Sequence, residues 1–211
     1  MKTAGRTIAW VINRFDTVGG GERLLNEGAR YYRSLGYRVL IITWHFDAKV
    51  LFSGVYEDKD IFVLKTEETP RGAVLKRATS RARPLRTIRR ILQEHKVSLV
   101  FVQGEYDVAL TSLALMGTGI PYRFLIFGQI FQYPHDNGKY AMIFRRHLQR
   151  IVNSLPGYKS TIPLAPPTLS LPNRLANELI SVVRYRAVRR AQKTFAFSRQ
   201  VQWETELLFG V

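Results

Sequence analysis

Cysteine is absent from the 211 residues. Disulfide bridges and thiolate metal sites are therefore both excluded, which suits a reducing compartment. Long apolar runs are missing too: none approaches the ~20 residues that a membrane-spanning helix needs. The opening Met1-Lys2-Thr3-Ala4-Gly5-Arg6 leads straight into a strand-like segment and lacks the apolar core of a signal peptide. Acidic residues are scarce. Sixteen Asp and Glu face 32 Lys and Arg, for a net charge of +16, and no acid occurs between Asp136 and Glu178. From Arg71 to Lys96 nine basic residues meet one acid, Glu94. Such a surface attracts a polyanion: an anionic bilayer, a nucleic acid or a phosphorylated substrate.

What is present is a foldable chain. A hydrophobic content of 46% with 12% aromatics argues against disorder. The length accommodates one large domain, or one domain with an appendage. Near-continuous apolar runs at 7–13, 37–44, 60–66, 98–103, 122–128 and 194–198 read as strands covered on both faces. Helical patterns at 22–34, 84–95, 107–117, 139–153, 174–192 and 199–208 alternate with them. The first has Leu24, Leu25, Gly28, Tyr31, Tyr32 and Leu35 on or near one face, with Gly36 to end it. The expected fold is α/β, a Rossmann-like, doubly wound, mostly parallel sheet spanning 1–211 as one domain. Residues 139–173 form a basic, Pro-rich insertion, and 154–173 alone hold five of the nine prolines. In 139–153 an apolar stripe (Tyr140, Ile143, Phe144, Leu148, Ile151, Val152) opposes Arg145, Arg146 and Arg150. That stripe fits a bilayer interface or the sheet equally well.

Gly19-Gly20-Gly21-Glu22-Arg23 stands between the first strand and the first helix. Glycines at such a junction permit a sharp turn and leave N–H groups uncovered at the positive end of a helix, a setting for phosphate or a crowded polar substrate. The dinucleotide fingerprint fails because Leu24 stands where its third glycine belongs, and no Gly-Lys-Ser/Thr follows for a P-loop. In doubly wound sheets ligands bind at the carboxyl ends of the strands. That rule selects the glycine loop, Trp44-His45, Gln103-Gly104-Glu105 and Gly128-Gln129.

Three segments together resemble the N-terminal domain of two-domain GT-B glycosyltransferases, in the retaining family four. They are Val18-Gly19-Gly20-Gly21-Glu22-Arg23-Leu24-Leu25 with Leu35-Gly36-Tyr37-Arg38-Val39-Leu40-Ile41, then Trp44-His45-Phe46-Asp47, then Phe197-Ser198 with Phe209-Gly210-Val211. The Trp-His segment is similar to the mannosyltransferases of lipid-linked oligosaccharide assembly. The resemblance implies an acceptor-side half whose partner is its own C-terminal donor-binding domain, holding a GDP- or UDP-sugar. The abrupt end after Phe209-Gly210-Val211 fits a boundary before that domain. The donor-site basic residues and paired glutamates of the family belong to the absent half, so these 211 residues are expected to bind no cofactor or metal alone and to be inactive alone.

The resemblance places the amides of Gly19, Gly20 and Gly21 toward a cleft. Glu22 is either a substrate contact or a first-turn carboxylate favoured by the helix dipole. His45 is either structural or an acceptor-side group. Glu105 either accepts from sugar hydroxyls or is solvated in a loop. The family's histidine at the fifth strand's end has no counterpart, since Phe127, Gly128 and Gln129 occupy that region. Gln129 can hydrogen-bond but not titrate, and His135 beside Asp136 is the remaining acceptor-side candidate. Arg86, Arg89, Arg90, Arg145, Arg146 and Arg150 are candidates for an anionic membrane surface. The expected location is cytoplasmic, peripheral at the cytoplasmic face of a membrane, with a lipid-linked or glycan acceptor. A basic nucleic-acid-binding module, an epimerase of the same fold and an inactive relative are the alternatives. No zinc-finger, RNA-recognition or helix-turn-helix pattern supports the first of these.

Overall fold

Thr7–Phe15 forms the first strand, β1, and its first six residues are all buried. That is the burial expected of a central parallel strand with helices on both faces. The computed structural model describes residues 6–17, 19–51, 55–64, 74–127 and 171–211. The helix at 139–153 and most of the Pro-rich stretch lie outside them. The remaining strands are β2 (Arg38–Phe46), β3 (Ile61–Val63), β4 (Val97–Gln103), β5 (Tyr122–Ile126) and β6 (Lys193–Ala196). All pairings are parallel, in the order β3-β2-β1-β4-β5-β6. The order reverses between β1 and β4, and in doubly wound sheets such a switch point is where a ligand crevice forms at the carboxyl edge. The expected doubly wound sheet is present.

Five α-helices are described: α1 (Gly20–Ser34), α2 (Val74–Glu94), α3 (Glu105–Leu115), α4 (Leu171–Arg190) and α5 (Arg199–Phe209). One core joins Ala9, Val11, Val100 and Phe124 of the sheet to Ile88 and Leu92 of α2, Val108 of α3, Val188 of α4 and Phe209 of α5. The other packs Ile8, Trp10, Ile41 and Phe101 against Leu25 and Ala29 of α1.

The structure alters the sequence expectation at several places. α1 starts at Gly20 rather than Glu22, and it buries Leu25, Asn26 and Ala29 while Tyr31 and Leu35 are exposed. A polar side chain enters the core because Asn26 Nδ2 donates to the carbonyls of Glu22 and Val50, each at 3.0 Å. This pins α1 to the turn after β2. Gly28 lies where a Cβ would sit 3.1 Å from the Trp10 ring, so its role is close approach rather than membership of an apolar stripe. Gly36 ends the helix as expected, at φ +84°. α2 begins ten residues before 84, with Pro84 inside it. Proline suits the first turn of a helix, which is why residue 84 looks like a helix start in the sequence. At α5 the Ser198 Oγ accepts from the Val201 N–H at 3.2 Å, and Gly210 closes the helix at φ +65°. The serine and glycine of the closing motif are thus the two caps of this helix.

Candidate functional site

The carboxyl edge of β1 and its loop supply the first wall of the switch-point crevice. Gly19 caps α1 in extended conformation (φ −130°, ψ 177°), and Gly20 and Gly21 form its first turn. No member of the triplet has a positive φ. These glycines therefore provide no sharp turn here; two of them instead leave room for the ends of neighbouring side chains. A Cβ on Gly19 would lie 2.7 Å from Glu22 Oε2, and one on Gly21 would lie 2.6 Å from Gln103 Nε2. Around Gly20 nothing stands within 4 Å. Its surroundings are open, at the positive end of a 15-residue helix.

Glu22 folds back over the loop, where Thr17 Oγ1 donates to its Oε1 at 3.3 Å. It sits in the first turn, so the dipole favours its charge. Beside it Arg14 binds Asp16 through two contacts, Nε to Oδ1 at 3.0 Å and Nη2 to Oδ2 at 2.8 Å. The Arg14 hydrogen bonds hold the Asp16 carboxyl below its usual range, and Asp16 in turn raises Arg14. His45 is exposed, pairs in register with Arg14 across β1 and β2, and adds to the positive field on Asp16. The structure thus gathers the glycines, Glu22 and His45 at one edge and adds Arg14 and Asp16, which the sequence reading passed over. Their signal was present, because both follow the apolar run of the first strand.

The second wall comes from β4 and α3. Gln103 ends β4 with its Oε1 inaccessible to solvent and unpaired, and Gly104 turns the chain at φ +96°. A side chain on Gly104 would be strained by that φ and would meet Asp107 Oδ2 at 3.2 Å. Glu105 opens α3, three residues before Val108, which lies in the core. Asp107 is the unforeseen member. It is 2% exposed, its Oδ1 has no hydrogen-bond partner, and the Asn13 backbone N–H faces its carboxylate. Burial pushes the carboxyl up to about 7, opposed by Asn13 and by the charge of Arg184. At the far side of the edge Phe127 and Phe197 stack with centroids 4.2 Å apart, and Phe197 is 47% exposed.

The other predicted positions divide cleanly. Arg86, Arg89 and Arg90 project from the exposed face of α2, away from the crevice, and Arg90 approaches Glu94 at 3.9 Å. Gln129, His135, Arg145, Arg146 and Arg150 lie outside the described residues. Among the described residues no group of three or more His, Asp or Glu is placed to hold a metal ion, and no helix is long and apolar enough to cross a membrane.

No family model and no curated protein matches the sequence. Solved structures do resemble it in shape. A "ugt transferase" from Siraitia grosvenorii in complex with UDP is similar over 95% of this chain and 46% of its own, with 11% identity and a TM-score of 0.53. Os79 from O. sativa, in complex with U2F and trichothecene, is similar over 96% of this chain and 50% of its own, with 14% identity and a TM-score of 0.52. The chain thus spans about half the length of these structures. At such identities the likeness speaks for the fold: the six-stranded parallel domain has the Rossmann-like architecture of one half of a GT-B glycosyltransferase.

Proposed function

We propose that the chain is the acceptor-side half of a nucleotide-sugar-dependent glycosyltransferase acting at a membrane surface. The observation that carries this reading is the open glycine corner: Gly20 faces free space at a helix N-terminus, at the switch point of a GT-B-like half-domain. In this reading a second domain closes the crevice and brings a GDP- or UDP-sugar, and a hexose passes with retention to a lipid-linked or glycan acceptor. The sugar's donor contacts come from that second domain. This chain contributes the amides of Gly19 to Gly21 toward an anionic or crowded polar group. Glu22 and His45 lie along the carboxyl edge and Glu105 opens α3 beside it, and in this reading the three receive the hydroxyl groups of the acceptor. A family-four mannosyltransferase is the specific form that the sequence motifs favour. The arginines of α2 and those of 145–150 serve anionic headgroups, each contributing about 1 kcal/mol near such a surface.

The test uses the polypeptide in which this chain continues into its donor domain. Incubated with labelled GDP- or UDP-sugars and polyprenyl-phosphate-linked saccharides, it is expected to move label into the lipid fraction. Absence of both transfer and donor hydrolysis across these donors, from protein shown to be folded, rejects the transferase reading. Tight, salt-sensitive gel-shift binding by the same inactive protein favours the nucleic-acid alternative instead.

A further inference from the structure

The helix that leads into β6 carries an apolar row in water. α4 has 20 residues and is about 30 Å long, whereas α3 beside it has 11 and reaches about 16 Å. Both run from the carboxyl edge back toward the amino edge, and α4 ends just before Lys193 opens β6. The extra length of α4 therefore lies at its own N-terminal end and overhangs the carboxyl edge, beside the crevice. Ala187 and Val188, near the other end, carry α4 into the core. On the overhang Leu171, Leu175 and Leu179 are 69%, 64% and 67% exposed.

A spacing of four aligns the three leucines, and at about 100° per residue the row faces away from Ala187 and Val188. Arg186 and Arg189 are exposed and stand within about 40° of Leu175 around the helix axis. The row thus changes from leucine to arginine along one face. Single exposed leucines are ordinary on a protein surface, but three in line on a face continued by arginines suit a helix that rests in a membrane interface. Charge selects the kind of membrane. The chain carries +16, and Glu178 is the only acid of α4 against five arginines.

We propose that the leucine row of α4 inserts into an anionic bilayer, with Arg186 and Arg189 at the headgroups, so that the crevice opens along the membrane surface. This assignment rests on the membrane-acting reading above and names the surface that docks. It is tested by co-sedimentation of the 211-residue chain with vesicles of phosphatidylcholine, with and without phosphatidylglycerol. The variant carrying Leu171→Gln, Leu175→Gln and Leu179→Gln is expected to lose about tenfold or more in partitioning onto the anionic vesicles. Its urea midpoint should hold, because these side chains already face water. Leu175→Trp should show blue-shifted emission once bound.

Failure has distinguishable forms. A wild-type chain that ignores anionic vesicles overturns the membrane reading itself. If the triple leucine variant binds like wild type while a variant with Arg86, Arg89 and Arg90 all changed to Gln does not, the membrane reading stands and the leucine assignment falls. A bound Leu175→Trp protein with unshifted emission also overturns insertion. A wild-type dimer that the leucine changes abolish would give the row to a second copy of the chain, and would overturn the proposal too.

Discussion

Asp107 sits under Gly104 where water does not reach its carboxylate, and burial raises it to about 7 from 3.8. The folded state therefore holds this proton more tightly than the unfolded chain does. Stability from this group is full below about pH 4, declines as pH climbs toward 7, and is flat above that. The span corresponds to at most roughly 4 kcal/mol. Asp107→Asn keeps an acceptor for the Asn13 N–H and removes the charge. It should raise the unfolding free energy by about 2 kcal/mol more at pH 8 than at pH 5. Urea titrations at the two pH values read this directly, and equal shifts at both would show that ionisation is not the cause. The glycine corner gives a second residue-scale contrast. Gly20→Ala meets open space in a helical position and should be neutral or stabilising by about 0.5 kcal/mol. Gly21→Ala has the same helical preference but must push the Gln103 amide aside, so it should stabilise less than Gly20→Ala by about 1 kcal/mol, a difference that a Gln103→Ala background removes. The glycines were visible in the sequence. That Gly19 and Gly21 adjoin Glu22 and Gln103 was not, because Gln103 lies 82 residues away in the chain from Gly21 and becomes its neighbour only when β4 pairs with β1.

At the scale of elements, the amino edge of the sheet is tied by one buried carboxylate. Asp60 precedes β3 with its side chain 2% exposed, and it accepts from Arg33 of α1 at 2.5 Å and from Arg38 of β2 at 2.8 Å. Three consecutive elements thus converge on one side chain, which registers the short β3 at the sheet's edge. Asp60→Asn leaves two arginines facing a neutral amide. Both guanidinium groups reach solvent, so the expected loss is about 2 kcal/mol rather than the larger cost of a sealed pair. Thermal unfolding checks the size. Faster amide exchange confined to β3 and the end of α1 checks the location. Strands were legible because a parallel sheet demands apolar runs, and the six observed strands fall within the predicted runs to within a few residues. Helix starts were less so. Pro84 reads as a beginning, yet α2 extends ahead of it, since packing of Ile88, Ile91 and Leu92 outweighs the local penalty of one lost hydrogen bond.

On the scale of the molecule, net charge and fold point the same way. A chain of +16 should partition onto anionic vesicles at low salt, and raising ionic strength from about 0.1 M to about 1 M, where the screening length falls from about 10 Å to about 3 Å, should release most of it. Retention at high salt would mean that the α4 leucines hold the protein without help from charge. Equal binding to neutral and anionic vesicles would remove the electrostatic part altogether. The half-domain architecture sets a further limit. The described crevice has one wall pair, β1 with α1 and β4 with α3, and faces outward along the carboxyl edge.

The sequence by itself determined the class of fold, the strand runs, the helix-closing glycines and the excess of positive charge. Each of these follows from local periodicity, backbone preference or composition, which neighbours in the chain express directly. Tertiary structure alone decided that Asp107 is buried beneath the switch point, that Arg14 and Asp16 join His45, and that the leucines of α4 face water. Burial and partnership depend on which distant segments the sheet order brings together, and that order is a property of the whole packing rather than of any stretch of sequence.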